Sequence, residues 1–206
     1  ERDEKNTVTV IDAEGCWVLP GLIEAHCHVG IIEERKGFEG DDCNEKNEPL
    51  TPYLKALDAI NPMDSSFHNA LSAGITGLMV GPGSSNVVGG QFAFIKTFGR
   101  SIDKMVVLEP AAMKIAFGEN PKSNYDSKGQ IPTTRMAISA LLREELFNAK
   151  KYYEKKSFPK RRGIALMRTI ERNAGFLFLI EKYPSRLMST GQMISRQPLE
   201  LQWTLI

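Results

Sequence analysis

The sequence predicts an α/β fold in which short buried strands alternate with helices. A helical pattern that begins at residues 64–65 ends at Gly74, and the apolar run 75–80 follows it directly. A second apolar run, residues 19–30, starts with a Pro-Gly turn and ends in two histidines one residue apart. A strand, a long loop, a helix and a second strand make the repeating unit of parallel α/β sheets. These two runs therefore predict parallel strands joined by a helix.

The composition is that of a soluble globular protein and excludes several classes of partner. Of the 206 residues, 42% are hydrophobic and 25% are charged. The net charge of +1 gives no electrostatic case for binding nucleic acid or an anionic membrane. No apolar run approaches the roughly 20 residues that span a bilayer. The first residue is Glu1 rather than Met, so we expect the start of the protein to lie further upstream.

The three cysteines do not form a recognisable framework. Cys16, Cys27 and Cys43 are an odd set without Cys-x-x-Cys spacing. That pattern argues against a disulfide scaffold and against a structural zinc site. It favours free thiols in a reducing compartment, and we expect a cytoplasmic protein.

A hairpin is predicted at the beginning of the chain. Residues 7–12 alternate between apolar and polar, residues 13–15 have turn composition, and residues 16–19 form a second short apolar run. Pro20 and Gly21 then lead into the histidine strand. The order is hairpin, Pro-Gly turn, apolar strand.

His26 and His28 are the strongest candidate ligands. Side chains at positions i and i+2 of a strand point to the same face, so both imidazoles can reach one point beyond the strand end. Neutral imidazoles that converge in this way suit a divalent metal, with zinc as the favoured ion. An isolated His-x-His pair also occurs by chance on exposed strands, so the neighbouring pattern is needed to support the site.

The next segment alternates loop, helix and strand. Residues 33–48 are polar and read as a long loop, either functional or simply solvated. A short helical turn follows from Thr51, and Asp64 or Ser65 can cap the next helix. His68 falls inside that helix, and we interpret it as a surface or packing histidine.

Residues 81–91 are rich in glycine and are predicted to form a tight loop. They match neither common phosphate-binding pattern, so a nucleotide-binding module is a weak hypothesis. Asn86 and Gln91 could donate hydrogen bonds to a substrate from this loop, although simple turn chemistry is the alternative.

Two further strands and one clear helix follow. Residues 92–99 and 105–108 read as strands, and residues 111–121 contain Lys114 and Glu119. Glu119 is a candidate acid, base or metal ligand. A helix capped by Thr133 or Thr134 has an apolar face that comprises Met136, Ile138, Ala140, Leu141, Leu142, Leu146 and Phe147, with Arg143, Glu144, Glu145 and Lys150 opposite.

Several of these motifs resemble the amidohydrolase superfamily. The hairpin, the Pro-Gly turn and the x-His-x-His strand over residues 8–30 resemble its entry to a barrel, with Glu24 where many members have Asp. Within residues 8–156, the runs 44–46, 48–52, 59–64, 81–84 and 117–122 resemble an imidazolonepropionase-like subgroup.

The resemblance implies a partial (β/α)8 TIM barrel preceded by a remnant of a small β-sandwich. We accordingly expect a sandwich remnant over residues 1–20, the first part of the barrel over 21–156 and an atypical tail over 157–206. Many members use a carboxylated lysine to bridge two metals. Lys114 is the candidate for that role, although a solvated or structural lysine is the favoured interpretation.

The tail lacks the alternation that precedes it. Residues 181–206 follow neither the helical nor the strand period, which is typical of an irregular segment. A sharper hypothesis is a frameshift, because codons for residues 181–206, read two bases later, can encode a strand, another His-x-His and an amphipathic helix.

The sequence thus predicts a metal-dependent amidohydrolase, or a fragment of one, that cleaves a C–N bond of an amide or cyclic amide. The expected partner is a small-molecule substrate, and the full-length parent could form a homo-oligomer. The resemblance places the remaining ligands and a proton-shuttling aspartate beyond these motifs, so the chain alone is expected to be inactive. The alternative is an inactive remnant that serves as a binding or assembly piece.

Overall fold

A computed structural model of the chain describes residues 10–156 and 187–190. In chain order its strands and helices are β1 (Leu22–Cys27), α1 (Ser65–Ser72), β2 (Ile75–Val80), β3 (Val88–Lys96), α2 (Ile102–Met105), β4 (Val106–Ala116), α3 (Glu119–Asp126), α4 (Arg135–Lys156) and β5 (Leu187–Thr190). Single 3-10 turns occur at Gly37–Gly40 and Ala56–Ala59.

The described strands form one mixed sheet in the order β1-β2-β3-β4-β5. β1 pairs parallel with β2, which confirms the predicted parallel unit. β3 runs antiparallel to both β2 and β4, whereas β4 and β5 are parallel. Because the connection over residues 81–87 contains no crossover helix, the chain reverses direction there. The described sheet is therefore mixed, whereas a (β/α)8 barrel is parallel throughout.

The loop in the glycine-rich segment is shorter than predicted. β3 already begins at Val88, so Gly90 and Gln91 belong to a strand. Gly90 has a φ of +126°, and a Cβ at this position would lie 2.6 Å from the carbonyl oxygen of Leu54. The backbone N–H of Gln91 donates to that same carbonyl at 2.7 Å. Glycine here therefore lets the loop before the second 3-10 turn lie directly against β3.

Of the hairpin predicted at the start of the chain, the described residues contain only the turn. The backbone N–H of Cys16 donates to Ala13 at 2.9 Å, but residues 16–19 do not form a strand. No other strand of the described part lies alongside them, and Trp17 and Val18 are largely exposed. The first strand of the predicted hairpin falls mostly in residues 1–9, outside the described residues, so the sandwich remnant stays a prediction.

The structure confirms the residues predicted to cap α1 and α4. Asp64 is the N-cap of α1 and accepts hydrogen bonds from the backbone and side chain of Ser66. Gly74 follows this helix with a φ of +81°, the left-handed conformation that glycine adopts most readily. The hydroxyl of Thr134 accepts from the backbone N–H of Ala137 at 3.1 Å and caps α4.

Most of the buried apolar side chains of the described residues lie in two clusters. One cluster includes Val87, Met113, Ile138 and Leu142 and lies between α4 and the sheet. The other packs α1 and the loop after β1 against β2 and β3, and comprises Ile31, Cys43, Ile60, Phe67, Leu78, Val80, Ala93, Ile95 and Met105.

The prediction of the apolar face of α4 is partly wrong. Met136 and Phe147 are exposed, whereas Ala149 and Glu145 are buried. The helix extends to Lys156, and its contact face is set by where the sheet lies beneath it rather than by apolarity alone.

Four residues of the predicted irregular tail form β5, which is parallel to β4. The expectation of no further strand is wrong at these residues. The rest of the tail lies outside the described residues, and the frameshift hypothesis stays a prediction. None of the helices in the part of the chain that the structure describes is long and apolar enough to cross a bilayer.

Candidate metal centre

The two histidines of the predicted pair lie together at the end of β1. His26 belongs to the strand and His28 directly follows it. Their ring centroids are 5.4 Å apart and the ring planes are nearly perpendicular. The alternation of the strand therefore brings both imidazoles to one side of the sheet, as predicted.

A carbonyl from the neighbouring strand end orients His28. The Nδ1 atom of His28 lies 2.7 Å from the carbonyl oxygen of Gly81. Because a carbonyl oxygen can only accept, Nδ1 carries the proton and donates it. This leaves the lone pair on Nε2, the tautomer in which a histidine binds a metal.

Lys114 reaches this pair from β4. Its side chain is fully buried, and its Nζ atom lies 3.1 Å from Nε2 of His26. Three strand intervals of about 4.8 Å separate β1 from β4 in the sheet, so both side chains must extend over the same face to meet. The interpretation of Lys114 as a solvated lysine is wrong.

Phe92 on β3 lies beneath this contact. Its ring centroid is 5.5 Å from that of His26, and the Nζ atom of Lys114 is 5.9 Å from it. A Cβ at Gly81 would lie 2.2 Å from the Phe92 ring. Gly81 therefore gives the ring its place and also supplies the carbonyl that orients His28.

The amine of Lys114 and the imidazole of His26, whose nitrogen atoms lie 3.1 Å apart, both have lowered pKa values. Burial lowers the pKa of Lys114 to about 8. Burial also lowers the pKa of His26, and the neighbouring Lys114 and His28 add to that effect. Both shifts favour neutral nitrogen atoms, which are the form that donates a lone pair to a metal.

The ligand set within the described residues is small. No group of three or more His, Cys, Asp or Glu side chains that could hold a metal occurs in this part of the chain. Two imidazoles and one lysine amine converge there, whereas catalytic zinc usually has three protein ligands and a water.

Asn86 and Gln91, the predicted substrate contacts, are buried and bonded to the protein. Asn86 accepts from the Tyr125 hydroxyl at 2.7 Å and donates to the Thr51 hydroxyl at 3.1 Å. The Gln91 amide donates to the Pro52 carbonyl at 3.0 Å. These contacts give both side chains a structural role in holding the loop over residues 49–55.

Glu119 and His68 are exposed. Glu119 is the first residue of α3, just beyond the end of β4. His68 lies on the surface of α1, as predicted. The catalytic role of Glu119 stays a prediction.

A cavity of about 420 Å³ adjoins the metal-site candidates. It lies between the loop after β1, the loop after β2 and helix α3. It is lined by His28, Cys43, Asn44, Gly83, Ser84, Ser85, Asn120, Ser123 and Asn124. This lining was not predicted as a set, because its residues come from three separate parts of the chain.

Comparison with known proteins finds relatives that are named amidohydrolases. It is 32% identical over 142 residues to amidohydrolase tasK of Hapsidospora irregularis, an alignment that covers 63% of this chain and 14% of that protein. It also resembles the crystal structure of an amidohydrolase from Thermotoga maritima, with a TM-score of 0.71 and 34% identity over 88% of this chain and 50% of that one. No family model matches the sequence. The chain thus spans half or less of the length of either relative.

Proposed function

Because the chain is related to amidohydrolases in sequence and in fold, we propose that it forms part of a metal-dependent hydrolase. The proposed reaction is hydrolysis of a C–N bond in an amide or cyclic amide. The observation that supports it best is the 3.1 Å contact between the buried Lys114 and His26, beside a second histidine. A lysine is costly to bury, and a metal or a carboxyl group on its nitrogen offers a use for that position.

In this proposal His26 and His28 hold a divalent metal, with zinc favoured, through their Nε2 atoms. When bound, the metal would lower the pKa of a water molecule and polarise the scissile carbonyl. The Gly81 carbonyl keeps His28 in the required tautomer, and Phe92 holds water away from one side of His26.

Lys114 is proposed to act as a carboxylated lysine. Its pKa of about 8 means that a substantial fraction of the side chain is a neutral amine in mildly basic solution. The Nζ lone pair can attack the carbon of CO₂ and then release one proton, which leaves a carbamate anion. The carbamate oxygens would add two ligand atoms to the two imidazoles.

The finer assignments rest on the resemblance. We propose that the parent protein belongs with the imidazolonepropionase-like amidohydrolases, adopts a TIM barrel, acts in the cytoplasm and takes a small-molecule substrate. Further ligands and the aspartate that shuttles the proton would come from residues other than those described. The 206-residue chain by itself is therefore expected to be inactive.

A second candidate function is favoured by the small ligand set: an inactive remnant that binds or assembles with other proteins. The two candidates differ in metal content. A remnant that no longer binds metal would show no zinc stoichiometry and no dependence on the histidines.

Calorimetric titration of the metal-free chain with zinc tests the proposal. We expect binding that weakens at least about tenfold, roughly 1.4 kcal/mol, in His26→Ala and His28→Ala. His68→Ala is the matched control, because that histidine is exposed on α1, and it should bind zinc like the unchanged chain. Equal zinc binding by all four proteins would contradict the proposed centre.

A further inference from the structure

We propose that the cavity beside His28 binds a neutral polar part of the substrate, namely a group that both donates and accepts hydrogen bonds, such as a carboxamide or a hydroxyl. This inference deepens the proposed function, because it specifies the substrate class of the same site.

The lining is polar but contains no carboxylate, ammonium or guanidinium group. Apart from His28, Cys43 and Gly83, every lining residue is an asparagine or a serine: Asn44, Ser84, Ser85, Asn120, Ser123 and Asn124. A site that binds a substrate carboxylate usually supplies Arg or Lys, and a site for an ammonium supplies Asp or Glu. In the metal-free chain, a charged group in this cavity would meet no side chain of opposite charge in the lining, so it would form no ion pair there.

Two of these side chains have defined orientations that leave hydrogen-bonding capacity of both kinds. The Asn120 amide nitrogen donates to the Ser84 hydroxyl oxygen at 2.9 Å. Since Ser84 accepts there, its own proton can be donated elsewhere, and the Asn120 carbonyl oxygen can accept. A carboxamide or hydroxyl of the substrate would satisfy both.

The other lining amides fix the shape of the cavity. The Asn44 carbonyl oxygen accepts from the Ser85 backbone N–H at 2.9 Å. The Asn124 amide nitrogen donates to the backbone carbonyls of Lys46 and Ser85, each at 3.3 Å. Lys128 donates to the Asn124 carbonyl oxygen at 3.1 Å, but it does not line the cavity. These contacts tie the loop after β1, the loop after β2 and helix α3 together, so the polar lining is organised before a ligand arrives.

Gly83 is part of this organisation. A Cβ at Gly83 would lie 2.4 Å from the Asn44 amide nitrogen. Glycine at this position allows Asn44 to cross the loop after β2 and bond to Ser85. The cavity is thus built around a close approach that a larger side chain would prevent.

Ligand-observed NMR on the metal-free 206-residue chain in EDTA tests the inference without requiring activity. The probes are N-acetylglycinamide, its carboxylate analogue N-acetylglycine and its cationic analogue N-acetylethylenediamine. We expect the neutral amide to bind at least about tenfold more tightly than either charged probe.

Asn120→Asp changes one lining amide to a carboxylate of nearly the same shape. It should weaken binding of the neutral amide and raise binding of the cationic probe severalfold. Ser123→Asp is a second variant with the same expected direction. Asn148→Asp, on the exposed surface of α4, is the matched control and should leave the order of the probes unchanged.

Several outcomes overturn the inference. The first is a carboxylate probe that binds as well as the neutral amide. The second is the absence of binding by all three probes. The third is an Asn120→Asp variant whose affinities for the probes equal those of Asn148→Asp. The zinc titration separates this result from the proposed function. Neutral-probe binding without zinc binding would keep the cavity assignment and reject the metal centre, and the reverse would do the opposite.

Discussion

At the scale of single residues, Lys114 makes stability depend on pH. Its folded-state pKa of about 8 lies below the usual 10.5. Between these values the unfolded chain holds a proton that the folded chain lacks, so this residue makes folding more favourable as the pH rises from about 8 to 10.5. Below about pH 8 the folded chain bears the full penalty of a charged, buried ammonium.

We therefore expect Lys114→Met to stabilise the metal-free chain at pH 7 by about 1–3 kcal/mol, and the gain to shrink as the pH approaches 10.5. Urea unfolding of both proteins over this range measures the difference. Burial raises the pKa of Cys27 and Cys43 to about 11; the Cys27 contribution is the same in both proteins, and Lys114 affects the pKa of Cys43 less than burial does. Lys96→Met, at an exposed position, is the control, and a pH-independent gain in Lys114→Met would refute the argument.

Only part of the candidate metal centre could be predicted from the sequence. His26 and His28 are two residues apart, so strand geometry alone brings them together. Lys114 is 88 residues from His26, and its role depends on how β4 lies in the sheet. Phe92 and Gly81 were missed for the same reason, because no local pattern distinguishes a supporting ring or a glycine that makes room for it.

At the scale of elements, one buried hydrogen-bond chain joins α3, the loop over residues 49–55 and β3. Tyr125 donates to Asn86, Asn86 to Thr51, and the Thr51 hydroxyl to the Val88 carbonyl at 2.9 Å. We expect Asn86→Ala to destabilise the protein by about 2–4 kcal/mol, because it leaves buried partners unsatisfied, and Tyr125→Phe by about 1–2 kcal/mol.

Thermal and urea unfolding of both variants and of the double variant would measure the coupling. The double variant should cost less than the sum of the two single changes, since both remove the same hydrogen bond. Tyr53→Phe is the control: its hydroxyl bonds to Glu48 on an exposed part of the loop. A loss as large in Tyr53→Phe as in Tyr125→Phe would contradict the buried chain as the stabilising feature.

The cap of α1 gives a prediction with the same sign of pH dependence as Lys114, because the folded-state pKa is lowered again, but in the acid range. Burial of Asp64 works against ionisation, but hydrogen bonds from Ser66 and the Glu34 backbone outweigh it and lower the pKa of the carboxyl group. A lowered folded-state pKa contributes stability that is present above the unfolded value of 3.8 and is lost as the pH falls through the folded value. Asp64→Ala should cost about 1–2 kcal/mol at pH 7 and progressively less below pH 3.8.

Asp64→Asn should recover part of that stability at pH 7, since asparagine also caps helices well. Urea unfolding at pH 7 and in acid would measure both variants. A cost for Asp64→Ala that is the same at both pH values would contradict the role of the ionised carboxyl.

Helix ends were predictable because caps are local: Asp64, Gly74 and Thr134 each mark an end within one turn of the helix that they limit. The direction of β3 was not predictable in this way. It depends on the connection over residues 81–87, whose glycines are compatible with a crossover or a reversal. The burial of Glu145 also required knowledge of which side of α4 faces the sheet.

At the scale of the whole molecule, β1 forms one edge of the sheet within the described residues. Leu22 and Ile23 on this strand are 57% and 65% exposed, and Trp17, just before it, is 92% exposed. An apolar strand with an open edge favours association between chains. We expect the purified chain to self-associate as its concentration rises, as measured by sedimentation velocity.

Leu22→Glu combined with Ile23→Lys should shift this association to higher concentration. Val107→Lys is the matched control, because Val107 is 52% exposed but lies on β4 within the sheet. Association that responds equally to the control, or not at all to the double change, would show that the β1 edge is not the contact.

The mixed direction of the strands also sets an order in which the molecule can assemble. β2, β3 and β4 are neighbours along the chain, whereas β1 meets β2 across a gap of 53 residues, from Leu22 to Ile75. Short loops close at a lower entropic cost than long ones, so the antiparallel meander is favoured to form early and β1 to join afterwards. His26 lies on β1 and His28 directly follows it, so both are positioned when this strand joins, whereas Lys114 lies on β4 in the meander. The three side chains of the proposed metal centre therefore come together only when β1 joins the sheet, and in the proposed function metal binding would follow that step.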